Sequence, residues 1–354
     1  MNSKFWQDKR VLITGHSGFK GSWLSMILNE MGAEIAGISK ESLNNNSELY
    51  DALDIQSFVH SYDEDIRNAE KINKIFTAFK PEIVFHLAAQ PLVRKSYVLP
   101  VDTYEINVIG TINVLEAIRS NDSVRSSLMI TTDKCYDNKE WIWGYRENDA
   151  MGGHDPYSSS KGCAELVVQS YQKSYFNNDS ISGLSSLRAG NVIGGGDLSQ
   201  DRLIPDIVRA IQNKSKVSIR NPLATRPWQH VFEPLNGYLM VAEDLFKNGN
   251  SKNSSWNFGP LITDIRSVDE VTKLFCKIWG NLDIIQYEQT SQVHEANLLS
   301  LDVSKAYHEL KWRPRWSLNE SMPHIVDWYK EYISGGNLLS LSREQIKLFF
   351  QTSN

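Results

Sequence analysis

The chain has 354 residues, 41% of them hydrophobic and 22% charged, with a formal net charge of −5. That length suits one large or two modest globular domains around a real core, and a net acidic chain offers no basic footprint for nucleic acid. The three cysteines (Cys135, Cys163, Cys276) form no CxxC pair and the eight histidines show no ligand spacing, so neither a disulfide framework nor a metal site is expected. No apolar run is long enough to span a bilayer, and the polar stretch Met1–Arg10 leads directly into a strand, so the expectation is a cytoplasmic protein with no signal peptide and no membrane contact.

Arg10–Thr14 is a short apolar run ended by glycine, the pattern of a buried parallel strand. Gly18–Met31 reads as a helix, because Trp23, Leu24, Ile27, Leu28 and Met31 recur at helical spacing. Glu34–Ser39 is a second strand, Asn44-Asn45-Asn46 a loop, and Phe58–Ile66 a weaker third strand. Arg67–Phe79 is helical and stopped by Pro81. Glu82–Ala88 is a strand followed by the loop Ala89-Gln90-Pro91, Val101–Arg119 is helical, and Ser127–Thr131 is a strand. Pro156–Tyr175 is a long helix with proline near its start, and Ser185–Asn191 is another strand. This alternation predicts an α/β fold: a doubly wound, Rossmann-like parallel sheet forming a dinucleotide-binding domain over residues 1–192.

Beyond Val192 the alternation weakens. Gly194-Gly195-Gly196-Asp197 is a loop, Asp201–Asn213 reads as a helix, and Trp256–Gly259 is a short strand into a turn. Ser267–Trp279, Asp302–Leu310 and Asn319–Ile333 read as helices. Residues 193–354 are therefore expected to form mainly a smaller C-terminal α/β substrate lobe, with some interleaving of segments. It would cover the carboxyl ends of the sheet strands, where open α/β sheets bind ligands.

Gly15, Gly18 and Gly21 sit between the first strand and the first helix. Glycine lets the backbone turn tightly and approach a pyrophosphate, whose charge then rests on the helix N-terminus. His16 is a bulky residue inside this loop, where it would crowd or contact the pyrophosphate. The second strand ends at Ile38-Ser39 with no acidic residue for an adenosine ribose. Lys40 is basic and Glu41 comes slightly later, so the loop does not decide between NAD and NADP. Asp65-Ile66, at the end of the third strand, could reach an adenine, the alternative for Asp65 being a solvated loop carboxylate.

Tyr157 and Lys161 lie one helical turn apart on one face. An ammonium beneath a phenol favours phenolate and draws its pKa toward neutrality, so the pair could take a hydroxyl proton as a hydride leaves. Tyr307 and Lys311 repeat the spacing and read as a surface coincidence. The first pair gains weight because Thr131-Thr132-Asp133-Lys134 ends the preceding strand on the same crevice side. Thr132 could hydrogen-bond a substrate or Tyr157. Asp133 is a general acid if desolvation raises its pKa, and Lys134 a base if its own is depressed; a surface Asp–Lys pair is the alternative.

These motifs resemble the extended short-chain dehydrogenase/reductases, the NAD-dependent epimerase/dehydratase family. The resemblance lies in Thr14-Gly15-x-x-Gly18-Phe19-x-Gly21, His86-Leu87-Ala88-Ala89, Asn107-x-x-Gly110-Thr111 and Tyr157-x-x-x-Lys161. Longer matches, including Gly15–Leu24, Ala88–Arg94, Thr132–Trp141, Arg188–Asp197 and Arg226–Val231, resemble the 4,6-dehydratases of the CDP-glucose type over nearly the whole chain.

The resemblance implies internal redox chemistry on a nucleotide sugar, CDP-D-glucose. Hydride would pass from sugar C4 to bound NAD with Tyr157 as base, water would be lost across C5–C6, and hydride would return to C6. NAD would be held by Gly15, His16, Ser17, Gly18, Phe19, Lys20, Gly21, Asp65, Ile66, Leu87, Ala88, Ala89, Asn107, Thr131, Tyr157 and Lys161. Thr132, Asp133 and Lys134 would complete the chemistry, Lys134 standing where the dTDP-glucose type carries Glu. Asn191 matches a position near the substrate diphosphate and Asn257 one near the nucleotide. On chemical grounds Arg202, Arg220 and Arg226 are candidates for phosphate or ribose contacts, a solvated surface arginine being the alternative for each, and Gln90 is a candidate for the sugar. The family pairs subunits through the helices at Val101–Arg119 and Pro156–Tyr175, which implies a homodimer or homotetramer, and it serves deoxysugar and polysaccharide biosynthesis. The competing readings are an NDP-sugar 4-epimerase, a dehydratase of another NDP-hexose, and a non-catalytic NAD-binding regulator.

Overall fold

The apolar runs of the sequence become parallel strands of one sheet. A computed structural model describes residues 3–40, 47–177, 182–287 and 298–351. The strands are β1 (Arg10–Thr14), β2 (Glu34–Ser39), β3 (Val59–Asp63), β4 (Ile83–His86), β5 (Ser126–Ile130), β6 (Gly183–Ala189) and β7 (Ser254–Phe258). They form a 7-stranded sheet in the order β7-β6-β5-β4-β1-β2-β3, parallel throughout. The chain builds outward from β1 to β3 and then returns to place β4 on the other side of β1. The crevice at that reversal, beyond the strand ends, is where such sheets bind ligands. Register brings Thr14 opposite His86, Ile130 opposite Leu187, and Arg188 opposite Asn257, so the loops that follow share one edge.

Both sheet faces are covered, which explains the near-continuous hydrophobicity of the strands. Val11, Ile13, Phe85, Leu128, Ile130 and Leu187 point to one side. There they meet Trp23 of α1 (Phe19–Glu30) and Phe232 and Leu235 of a later helix, Phe232–Asn248. Leu12, Val84, Met129 and Leu184 point to the other side. They meet Ile72 and Phe76 of α2 (Ala69–Phe79), Val114 of α3 (Gly110–Arg119) and Val168 of α4 (Pro156–Ser174). Each such side chain contributes roughly 1.5–3 kcal/mol on burial.

Helices α5 (Leu203–Gln212), α7 (Val268–Trp279), α8 (Leu318–Ser334) and α9 (Leu338–Gln351) belong to the smaller lobe, while α6 (Phe232–Asn248) lies over the sheet. Capping boxes at Ser267/Glu270 and Ser317/Glu320 start α7 and α8. Short strand pairs join Val217–Ile219 to Ile285–Tyr287, and Thr225–Pro227 to Ile265–Ser267.

Four elements differ from expectation. The strand at Trp256 is β7, paired with β6, so residues 232–258 return to the main sheet. Helix α6 is not legible in the sequence because Pro234 and Gly237 resemble breakers. Pro234 sits in the first turn, where its missing N–H costs nothing. Helix α9 lies beyond the last expected helix. The span expected as one helix over Val101–Arg119 contains Pro100–Tyr104, a π-turn at Glu105–Ile109, and α3. The expected loop at Asn44-Asn45-Asn46, and Glu41, lie outside the described residues.

Candidate active site

A cavity of about 1280 Å³ opens along the carboxyl edge of β1, β4, β5 and β6, facing the smaller lobe. The glycine loop forms one wall. Gly15 has φ +76°, and a Cβ there would stand 2.8 Å from Ala88 N; one on Gly21 would stand 2.0 Å from Gly15 O. Only glycine permits this approach of α1 to the strand ends. Gly18 caps α1 without a side-chain hydrogen bond, leaving the first-turn amides of α1 facing the cavity. Gly15, Ser17, Gly18, Phe19, Lys20 and Gly21 line this wall, with Asp65, Ile66, Leu87, Ala88, Ala89 and Gln90 beyond it.

His16 is a correction. Its ring turns away from the cavity and is buried beneath the ends of β2 and β3, Nδ1 2.9 Å from Ser39 Oγ and Nε2 2.8 Å from Ser61 Oγ. Burial lowers its pKa to about 4, so it is a neutral packing group and does not face a pyrophosphate. Asn107 is also withdrawn. On the π-turn, it accepts from Gln90 N at 2.8 Å and donates to Gln90 O at 3.2 Å and Ser160 Oγ at 2.9 Å, fixing the loop after β4. Gln90 lines the cavity, but its amide is engaged with Leu92 and Thr103, so it shapes the loop and presents no free group to a sugar. Asn257 is wholly buried on β7, bonded to the Tyr136 hydroxyl and the Tyr145 carbonyl, and does not reach the nucleotide side.

The catalytic candidates come together on the opposite wall. Asp155 caps α4 through Ser158 N at 2.9 Å, and Pro156 opens the first turn. This aims Tyr157 and Lys161 at the end of β5, where Lys161 Nζ donates to Ile130 O at 3.4 Å. Thr131, Thr132, Asp133 and Lys134 line the cavity beside them. Thr132 Oγ1 donates to Asp133 Oδ1 at 2.9 Å. Burial raises the Asp133 carboxyl, opposed by the charges of Lys134, Arg226 and Lys20 and by the Thr132 hydrogen bond. The expected depression of the tyrosine does not appear: burial pushes Tyr157 up to about 12, against a hydrogen bond with Thr132. Burial also lowers Lys161 to about 8, opposed by Glu165 and Cys135. Burial removes hydration from both charged forms, and for Tyr157 it outweighs the opposing Thr132 hydrogen bond and the charge of Arg202.

The smaller lobe adds cations. Arg202 pairs with Asp197 at 2.7 Å, and Arg220 and Arg94 meet Asp201 at 3.5 and 3.1 Å across the mouth. Arg226 and Asn191 complete this wall. Arg94 is not among the sequence candidates; its motif, Pro91-Leu92-Val93-Arg94, carried the signal. Lys20 is lowered to about 8 by burial and Arg202, with Asp133 opposing. Asp65 is held down to about 2 by Arg67, whose hydrogen bonds outweigh burial, and Lys40 lies 3.2 Å away. A relay from Thr14 Oγ1 to His86 Nδ1 (2.7 Å) and from His86 Nε2 to Thr111 Oγ1 (3.0 Å) runs beneath the loop, unread in the sequence. Tyr307 and Lys311 lie at the surface, the tyrosine hydroxyl bonded to Arg313. Trp141 stacks on Tyr145 outside the cavity. No cluster of three metal-ligating side chains occurs among the described residues.

The doubly wound sheet, the glycine loop and the Thr132/Tyr157/Lys161 set define a short-chain dehydrogenase/reductase of the extended, nucleotide-sugar type. The family model described as GDP-mannose 4,6 dehydratase matches residues 12–325, and the chain belongs to that family. The CDP-glucose 4,6-dehydratase of Salmonella typhimurium is 48% identical over 350 residues, covering 98% of this chain and 97% of that protein. Among solved structures, UDP-glucose 4-epimerase from Thermotoga maritima with UDP-glucose superposes with a TM-score of 0.80 at 22% identity, covering 92% of this chain and 99% of the other. The dTDP-glucose 4,6-dehydratase from Bacillus anthracis in complex with NAD gives 0.78 at 20% identity, covering 94% and 99%. These two show the same fold.

Proposed function

We infer that the protein is an NAD-dependent CDP-D-glucose 4,6-dehydratase, a carbon–oxygen lyase yielding CDP-4-dehydro-6-deoxy-D-glucose. The observation that carries this is the end-to-end 48% identity to the Salmonella CDP-glucose 4,6-dehydratase. The cradle at Gly15 and Gly21, closed to any Cβ, and the uncapped start of α1 fit a dinucleotide pyrophosphate. Gly15, Ser17, Gly18, Phe19, Lys20 and Gly21 would hold NAD, which when bound would supply a hydride acceptor for sugar C4 and a hydride donor for C6.

The residues divide the remaining work. Tyr157 takes the C4 hydroxyl proton, with Lys161 beneath it and Thr132 beside it. Asp133, whose carboxyl burial pushes up, is assigned the proton given to the C6 hydroxyl oxygen as the C6–O bond breaks and water leaves. Lys134 is assigned the C5 proton, whose electron pair becomes the second C5–C6 bond. Asn191, Arg202, Arg220 and Arg226 are assigned the substrate diphosphate, since guanidinium forks match phosphate oxygens.

A homodimer is part of the proposal. Val101, Ile109 and Leu166 expose apolar side chains within Val101–Arg119 and α4, the segments through which the resemblance implies subunit pairing. A cytoplasmic setting is also proposed, supported by three unpaired cysteines.

The test is an assay of the purified protein with added NAD and, separately, CDP-glucose, dTDP-glucose, UDP-glucose and GDP-mannose. Loss of one water by mass spectrometry with CDP-glucose alone is expected. An unchanged mass with altered sugar configuration by NMR would replace the lyase with an epimerase, and no change with any sugar would favour the non-catalytic regulator.

A further inference from the structure

Tyr157, Lys161 and Glu165 follow one another at four-residue spacing along one face of α4. Glu165 is wholly buried, and its two oxygens divide their partners. Oε1 accepts from the hydroxyl of Thr131, the residue before Thr132. Oε2 accepts from Ser186 Oγ at 2.7 Å and from Arg188 Nη2 at 2.5 Å. Arg188, on β6, is equally buried. Its Nη1 donates to the Tyr136 hydroxyl at 2.6 Å and to Glu147 O at 3.0 Å. The guanidinium also lies 5.0 Å from the centre of the Tyr136 ring. Thr131 and Tyr136 bracket the turn that carries Thr132, Asp133 and Lys134, so the two ends of that turn are tied to opposite members of one ion pair. Neither Glu165 nor Arg188 lines the cavity.

We propose that the Glu165–Arg188 ion pair is a positioning device: it clamps both ends of the 131–136 turn and supplies the negative charge that faces the Lys161 ammonium. A buried ion pair is weak evidence for stability, because desolvating two charges cancels much of their attraction. Its partners here indicate what it does instead. Each member holds one end of the segment that carries the acid, and Glu165 stands one turn from Lys161. Burial acts to raise the Glu165 carboxyl, but the charge and hydrogen bond of Arg188 overcome it and leave the group ionised. Burial lowers Lys161, and Glu165 and Cys135 are the groups that oppose it.

The readouts rest on the dehydratase reading, and the native enzyme separates the two. If native protein with NAD removes no water from CDP-glucose, that reading fails, and the clamp is then measured on whichever sugar nucleotide is turned over. The main variant is Glu165→Gln/Arg188→Met, which removes both charges together and leaves no unpaired ion buried. Expected are NAD and CDP affinities within about threefold of native, KM nearly unchanged, and kcat lower by about a hundredfold, the scale for a small misplacement of catalytic groups. The pH limb belonging to Lys161 should move lower. Arg188→Lys keeps the charge but gives up the fork, so it should leave the limb in place and lose part of kcat. Should the double variant fail to fold, Tyr136→Phe removes the hydroxyl that Arg188 grips and should lower kcat without moving the limb. Native kcat and an unmoved pH profile in a folded double variant, or in Tyr136→Phe native kcat, would overturn the proposal.

Discussion

Thr132 Oγ1 donates to one oxygen of the Asp133 carboxyl at 2.9 Å and leaves the other, Oδ2, buried with no hydrogen-bond partner among the described residues. An ionised carboxylate could not tolerate that position cheaply, since an unmet buried acceptor costs about 1–3 kcal/mol and more when charged. The arrangement suits a carboxyl that holds its proton until a leaving oxygen arrives. Asp133→Asn should therefore keep C4 oxidation, visible as a burst of reduced NAD in a single turnover, while water loss falls by about 10²–10⁴-fold, the range for a lost general acid. A 6-deoxy-6-fluoro substrate should restore elimination, because fluoride leaves without a proton. Equal loss with both substrates would remove Asp133 from the acid role.

Tyr157 and Lys161 predict the pH dependence of the first step. In the protein the phenol stands at about 12 and the ammonium at about 8. Below pH 8, each unit of pH raises the phenolate fraction about tenfold, so C4 oxidation should climb with pH. Above pH 8, Lys161 loses the charge that supports the phenolate, and the climb should break. Lys161→Met should abolish the break, and Tyr157→Phe should abolish the step while NAD still binds. A flat profile from pH 6 to pH 9 in the native enzyme, with chemistry rate-limiting, would sink this assignment.

Lys20 stands at the start of α1 within the glycine loop, and burial brings it to about 8. The charged form attracts an anion, so affinity for NAD should weaken as pH rises through that value. Calorimetric titration at pH 7 and pH 9 should show the loss in native protein and a flatter response in Lys20→Met. Facing Lys20 are Arg202, Asp133 and Lys161, and the ring of Tyr238 lies 5.9 Å from its Nζ. Lys161 titrates in the same range, so the difference between native and variant is the informative quantity. An identical pH response in both would assign the effect to another group.

Most of the sheet and the placing of Tyr157 and Lys161 on one wall of the cavity were legible because they depend on local signals: apolar runs bounded by glycine, and side chains one helical turn apart. What the sequence concealed depends on where side chains point. His16 lies in the right loop, yet its ring follows Ser39 and Ser61 inward. Asn257 belongs to a strand that returns to the main sheet from beyond residue 250, and its amide is consumed by Tyr136 and Tyr145. Spacing alone cannot reveal such pairings: the Asn257 partners are more than a hundred residues away, and those of His16 lie on two other strands. The depressed tyrosine failed for a related reason: the spacing predicts the neighbouring ammonium but not the burial that opposes it.

Glu233 predicts a stability effect unrelated to catalysis. It lies in the first turn of α6, buried, accepting from the backbone of Arg315 at 3.0 Å and Trp316 at 2.8 Å. Burial raises it from 4.5 to about 8, although those hydrogen bonds favour the ion. A group whose folded pKa is raised binds its proton more tightly in the folded state. Its contribution is therefore complete below pH 4.5 and is lost as pH rises through 8. At about 1.4 kcal/mol per unit, the loss between pH 6 and pH 9 should be on the order of 3 kcal/mol. Urea unfolding of native protein and Glu233→Gln at both pH values tests this. The native protein should lose that stability at pH 9, and the glutamine variant, which cannot ionise, should lose much less. Equal losses in the two proteins would show that the alkaline sensitivity lies elsewhere in the fold.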